Sequence, residues 1–147
     1  MQVDFYHLGR DPLDRILASI ATRVLTGGGR LLVVTGEEGQ AETLDRALWE
    51  MQPDGFLPHG RSSEGDPGAD QPLLIAGTCE PGNGARHVAL VDGLWRDDAL
   101  SFERAFHFFD DGSIDLARMA WRTLKGREGV EPRYWKQDED GRWGQVA

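Results

Sequence analysis

Four consecutive apolar residues, Leu31, Leu32, Val33 and Val34, lie between Gly27-Gly28-Gly29-Arg30 and Thr35-Gly36. A strand with one wet face alternates apolar and polar side chains, so an unbroken run of branched residues requires cover on both faces. The preceding stretch can supply it. Leu13, Ile16, Leu17, Ile20, Ala21 and Val24 recur at helical spacing, Asp11 can cap the free amides, Pro12 is tolerated at the first helical position, and the three glycines end the helix. Before that helix, Val3, Phe5, Tyr6 and Leu8 suit a further strand. Strand, helix, strand with a short return begins an α/β sheet.

The alternation continues. A second helix is expected from about Glu38 to Trp49 with Leu44, Ala47, Leu48 and Met51 inward, and the two prolines and two glycines of QPDGFLPHG cannot continue it. Residues 60 to 71 read as a mobile loop, Leu73 to Ile75 as a third strand and His87 to Val91 as a fourth. In AFHFF, strand periodicity puts Phe106 and Phe108 on one face and His107 and Phe109 on the other. A basic helix over 113 to 127 follows. Tyr134, Trp135 and Trp143 around a hairpin-like DEDG turn imply an ordered C-terminal extension at about 130 to 147. The expectation is one domain spanning 1–147, with a mainly parallel sheet and helices on both faces.

The net charge of -9 disfavours an extended nucleic-acid contact. It is uneven: residues 1–117 carry 9 basic and 20 acidic side chains, whereas 118–147 carry 7 and 5. A positive patch on an acidic body favours local, acidic partners. Cys79 alone excludes an internal disulfide and a multi-cysteine metal site, and the simple reading is a cytosolic protein. No stretch approaches the length of a membrane span and no leader pattern is visible.

Motifs for chemistry are weak. TGGGRLLVV precedes a strand, whereas a phosphate loop follows one and ends in Gly-Lys-Ser or Gly-Lys-Thr. VVTGEEGQAE has the right order, but Glu37 and Glu38 sit where phosphate oxygens would approach. His7, His59, His87 and His107 lack metal-ligand spacing, and no serine lies in a nucleophile elbow. Neither catalytic residues nor a cofactor or metal are expected. A small α/β enzyme with a nucleotide-like ligand stays as the alternative, and direct DNA binding as a third and weaker reading.

Two surfaces stand out. In SIDLARMAWRTLKGR, helical spacing puts Arg118, Trp121, Arg122 and Lys125 on one stripe, with Leu116, Ala117, Ala120 and Leu124 roughly opposite and available to a core. Guanidinium groups beside a large ring suit an acidic peptide with an aromatic residue or a terminal carboxylate; the alternative is a solvated helix face with one half-buried Trp. In LWEMQPDGFLPHG, Trp49, Met51, Phe56, Leu57, Pro58 and His59 fall at and beyond a helix end, either as an exposed patch for a protein partner or as a staple tucking the loop onto its own domain.

FYHL at 5–8, LDRALWEMQPDGFLPHG at 44–60 and LARMAWRTLKGREG at 116–129 together resemble the DNA polymerase III chi subunit family, in order and spacing over nearly the whole chain. The resemblance implies a non-catalytic adapter with a Rossmann-like fold, associated with the bacterial clamp-loader assembly. It further implies that Arg118, Trp121, Arg122 and Lys125 bind the acidic C-terminal tail of single-stranded DNA-binding protein. Trp49, Phe56, Leu57, Pro58 and His59 would receive a psi subunit or a helicase. The tail from Tyr134 to Trp143 departs from short-ended members and could close over the peptide pocket or add an edge strand.

Overall fold

The glycine-bounded run Leu31–Val34 forms a strand buried along its whole length. The computed structural model describes residues 1–9, 11–50, 59–62 and 68–147. Its elements in order are β1 (Gln2–His7), α1 (Leu13–Thr26), β2 (Leu31–Val34), α2 (Glu38–Glu50), β3 (His59–Arg61), β4 (Leu73–Ala76), β5 (His87–Leu90), β6 (Arg104–Phe109), α3 (Ile114–Lys125), β7 (Glu131–Gln137) and β8 (Trp143–Gln145), with short 3-10 turns at Asp97–Ser101 and Asp111–Ser113. They make one eight-stranded sheet, β3-β4-β2-β5-β6-β1-β7-β8. Every pairing is parallel except that of β8 with β7.

Side-chain alternation divides the core between the two faces of the sheet. Tyr6, Phe106 and Phe108 pack with Ile16, Leu17 and Leu44 from α1 and α2. Phe5, Phe109, Leu32 and Val88 pack with Ala117, Ala120 and Leu124 from α3. Thus α1 and α2 cover one face and α3 the other, a Rossmann-like α/β arrangement. Asp4, fully buried in β1, ties three strands: Arg104 of β6 reaches it at 2.6 Å and the Trp135 indole of β7 donates at 3.0 Å. The tail adds two strands beyond β1. Gly141, at a φ of 82°, completes the turn between them, with amide donations from Gly141 to Asp138 and from Asp138 to Arg142.

Three expectations are corrected. Asp11 does not cap α1: Pro12 is the cap residue, in extended conformation and without a side-chain bond, and the Asp11 carboxylate accepts from Gln137 of β7 at 2.8 Å. His59 belongs to a short edge strand that its Gly- and Pro-rich surroundings concealed. Ala47 is only half-buried, so Ala41 with Leu44 and Leu48 forms the inner stripe of α2, while Met51 lies outside the described residues. Among the described residues no helix is long and apolar enough to cross a membrane, and no group of three or more His, Cys, Asp or Glu could hold a metal ion.

Candidate functional site

Helix α3 starts where Asp110 and Ser113 cap each other reciprocally, the Asp110 carboxylate accepting from the Ser113 amide at 3.1 Å and the Ser113 hydroxyl from the Asp110 amide at 3.1 Å. Asp115 in its first turn and Arg122 and Lys125 in its last complement the helix dipole. Ala117, Ala120 and Leu124 form the buried stripe, and two alanines in it let the backbone approach the sheet closely. Leu116 does not share that duty. It is 48% exposed and Met119 is 63% exposed, because each sits one position to the side of the stripe.

Where α3 leaves the sheet, a cavity of about 210 Å³ opens. Phe5 of β1 and Phe109 of β6 line it from the sheet, Ile114 and Trp121 from α3, and Tyr134 from β7. The rings meet edge to face: Phe5 and Trp121 have centroids 5.3 Å apart, Phe109 and Tyr134 5.8 Å, Trp121 and Tyr134 6.1 Å. Trp121 is therefore both wall and part of the packed layer, half-buried against Phe5. Ala147 also reaches this wall, because the backbone beyond β8 continues to pair with Tyr134. The Tyr134 hydroxyl is 2.9 Å from His7 Nδ1, and His7 Nε2 is 2.7 Å from the Asp111 carboxylate. This chain of contacts fixes the Tyr134 ring. Burial raises the Tyr134 pKa and the nearby Arg118 charge partly offsets this, so the phenol stays neutral.

Of the cations on the helix stripe, Arg118 lines the cavity. Its nearest carboxylate, Asp115, is 3.7 Å away and 92% exposed, a pairing too wet to neutralise the guanidinium firmly. Lys125 places its ammonium 5.8 Å from the Trp121 ring centroid. Arg122 is exposed beside them but is not part of the cavity wall. The stripe read from spacing is thus brought together, with Arg118 and Trp121 at the cavity and Lys125 and Arg122 flanking it.

The second surface is only partly in view. Trp49, 53% exposed, has its ring 4.6 Å from that of His59. His59 itself is buried, with Nε2 3.1 Å from the Asp45 carboxylate, so it supports Trp49 from beneath and is not an exposed contact residue. Phe56, Leu57 and Pro58 lie outside the described residues.

The family model described as DNA polymerase III chi subunit, HolC, matches residues 1–132. The chain belongs to the DNA polymerase III chi family. The DNA polymerase III subunit chi of Escherichia coli (strain K12) is 27% identical over 120 residues, covering 80% of this chain and 81% of its own length. Among solved structures, the C-terminal domain of Dbp5 from S. cerevisiae matches at a TM-score of 0.49 and 15% identity, over 87% of this chain and 88% of that one, a likeness too slight to argue from. As a chi-family member the chain is an accessory subunit of DNA polymerase III. The family match includes all of α3 but ends before Tyr134, so part of the cavity wall is built by residues beyond it.

The residues that spacing missed are those supplied by other elements. Phe5, Phe109 and Tyr134 come together only through parallel pairing of β1 with β6 and β7, in which Phe5 faces Tyr134 across the strands. No local pattern signals that. His7 and Asp111 could have been suspected only from their chemistry, since 104 positions separate them.

Proposed function

We propose that this chi-family chain is a non-catalytic adapter that binds the acidic C-terminal tail of single-stranded DNA-binding protein along α3. Through that contact it links the coated strand to the clamp-loader assembly in the cytoplasm. The observation that carries the reading is the aromatic cavity with Arg118 at its wall. A cavity of ~150 Å³ accommodates a benzene ring, so about 210 Å³ is enough for one terminal phenylalanine side chain. With the ring inserted, the peptide's carboxylates fall among Arg118, Arg122 and Lys125, where charge-assisted hydrogen bonds form. A neutral Tyr134 hydroxyl adds a polar edge without repelling the acid. The Trp49 surface, with Phe56, Leu57, Pro58 and His59 as its sequence neighbours, is the proposed seat of a psi-like or helicase partner.

Calorimetric titration with an acidic peptide of about nine residues, ending in Asp-Phe with a free carboxylate, tests this. Each charge-assisted contact is worth about 1.5 to 3 kcal/mol, so Arg118→Ala should weaken binding roughly ten-fold or more. Amidation of the terminal carboxylate should cost a similar factor. A wild-type protein that ignores the free-acid peptide at low salt would refute the assignment.

A further inference from the structure

On the face of the sheet opposite α3, two adjoining cavities of about 300 and 420 Å³ share Tyr6, Ile20, Arg23 and Arg104 in their walls. The smaller lies at the last turn of α1, against Gly27, Gly29 and His87. The larger runs along α1 past Arg15 and Ser19 to Trp135 and Trp143 of the β7–β8 hairpin. Neither touches the cavity beside α3.

The smaller cavity has donors without acceptors. Among the described residues, Arg23 makes no ion pair and the Tyr6 hydroxyl no hydrogen bond. Arg104 commits Nε and one terminal nitrogen to Asp4, at 2.8 and 2.6 Å, leaving its other terminal nitrogen. His87 Nδ1 is buried without a partner. Burial and the Arg104 charge both lower the His87 pKa, so the ring is neutral and one of its two nitrogens carries a proton. The carbonyls that could have answered these donors are taken: Arg23, Val24 and Leu25 accept from the amides of Gly27, Gly29 and Gly28. Only His87 Nδ1 among these groups is buried and unanswered, whereas Arg23 is exposed and offers an unpaired charge at the cavity mouth, so the wall favours an acceptor-rich anion.

We propose that this is a binding site for a phosphomonoester. The phosphoryl oxygens lie among Arg23, Tyr6, Arg104 and His87, and a flat remainder extends along the larger cavity against Trp135 and Trp143. Donors on separate elements approach from several directions, which suits the tetrahedral oxygens of a phosphoryl group, and its charge of about -1.5 to -2 answers Arg23 more fully than the single charge of a carboxylate. The combined space lies within the range of small-molecule sites, ~300 to 1,000 Å³. The carbonyl end of α1 works against an anion there, and Arg23 in the last turn supplies the charge that reverses it. Glycine-loop motifs could not reveal such a site. His87 and Arg104 are the first residues of their strands, at the end of the sheet opposite the one where helix N-termini cradle phosphates.

Amide and indole NMR spectra of the whole chain, titrated with adenosine 5′-monophosphate, adenosine and inorganic phosphate, test the proposal. Adenosine monophosphate should shift the Gly27 and Gly29 amides and the Trp143 indole, with saturation at or below ~10 mM. Inorganic phosphate should compete, and adenosine alone should bind at least ten-fold more weakly. Arg23→Ala, exposed and outside both cores, should weaken the nucleotide roughly ten-fold while leaving the acidic-peptide titration at α3 unchanged. Absence of shifts with both phosphate probes, equal binding of adenosine, or full affinity in folded Arg23→Ala would each overturn it. A folded Tyr6→Phe variant provides a second check, since loss of the hydroxyl alone should weaken the phosphate probes.

Discussion

Arg118, Arg122 and Lys125 are equivalent in a helical projection but not in the folded chain, where Arg118 alone of the three lines the cavity. Arg122→Ala should therefore cost less than Arg118→Ala in a peptide titration, about three-fold against ten-fold or more. Trp121 adds a stability component, because its ring also packs on Phe5. Trp121→Ala should lower unfolding free energy by about 2 kcal/mol, below the range for a fully buried ring, while Trp121→Phe keeps most of it; urea melts measure both. His107 has a different consequence. Fully buried, with neither ring nitrogen bonded within the protein, it has its pKa held down to about 4 by burial. The unfolded chain takes up a proton between about pH 6.5 and 4 that the folded chain refuses. Stability is thus full above pH 6.5 and should fall by about 3 kcal/mol as pH drops through that window. Urea melts at several pH values should show His107→Met without this component.

Among the elements, α3 depends on a turn outside itself. Gly93 has a φ of 80°, and a methyl group there would lie 2.9 Å from the Ser113 side chain, which accepts from the Asp110 amide and closes the 3-10 turn leading into the helix. Gly93→Ala should destabilise the protein by about 1 to 3 kcal/mol in urea melts and weaken peptide binding through displacement of the α3 entrance. The sequence made the helices and inner strands readable because apolar residues repeat at the right period in α1 and run unbroken in β2. It left β3 hidden, since three residues, His59 to Arg61, carry too little pattern to be distinguished from the adjoining loop. Leu116 was misplaced because a helical wheel shows a broad apolar side, whereas the sheet admits only the stripe of Ala117, Ala120 and Leu124. The cations of the candidate site were legible as a local repeat. Its depth was not, because Phe5, Phe109 and Tyr134 meet only through strand pairing between distant segments.

For the whole molecule, a chain of net charge -9 carries its cationic stripe on one helix, over one face of the sheet. Attraction for an acidic tail is therefore local and should weaken with salt, since the Debye length shortens from about 10 Å at 0.1 M to about 3 Å at 1 M. The aromatic cavity should retain residual binding at high salt, as apolar burial is not screened. The most direct measurement is the set of nuclear Overhauser contacts between the terminal phenylalanine ring of the bound acidic peptide and the ring protons of the protein. Contacts to Trp121 and Tyr134 are predicted, weakened in Arg118→Ala as the affinity falls. Contacts confined to Trp49, or a bound peptide whose ring touches neither Trp121 nor Tyr134, would contradict the placement of the tail beside α3.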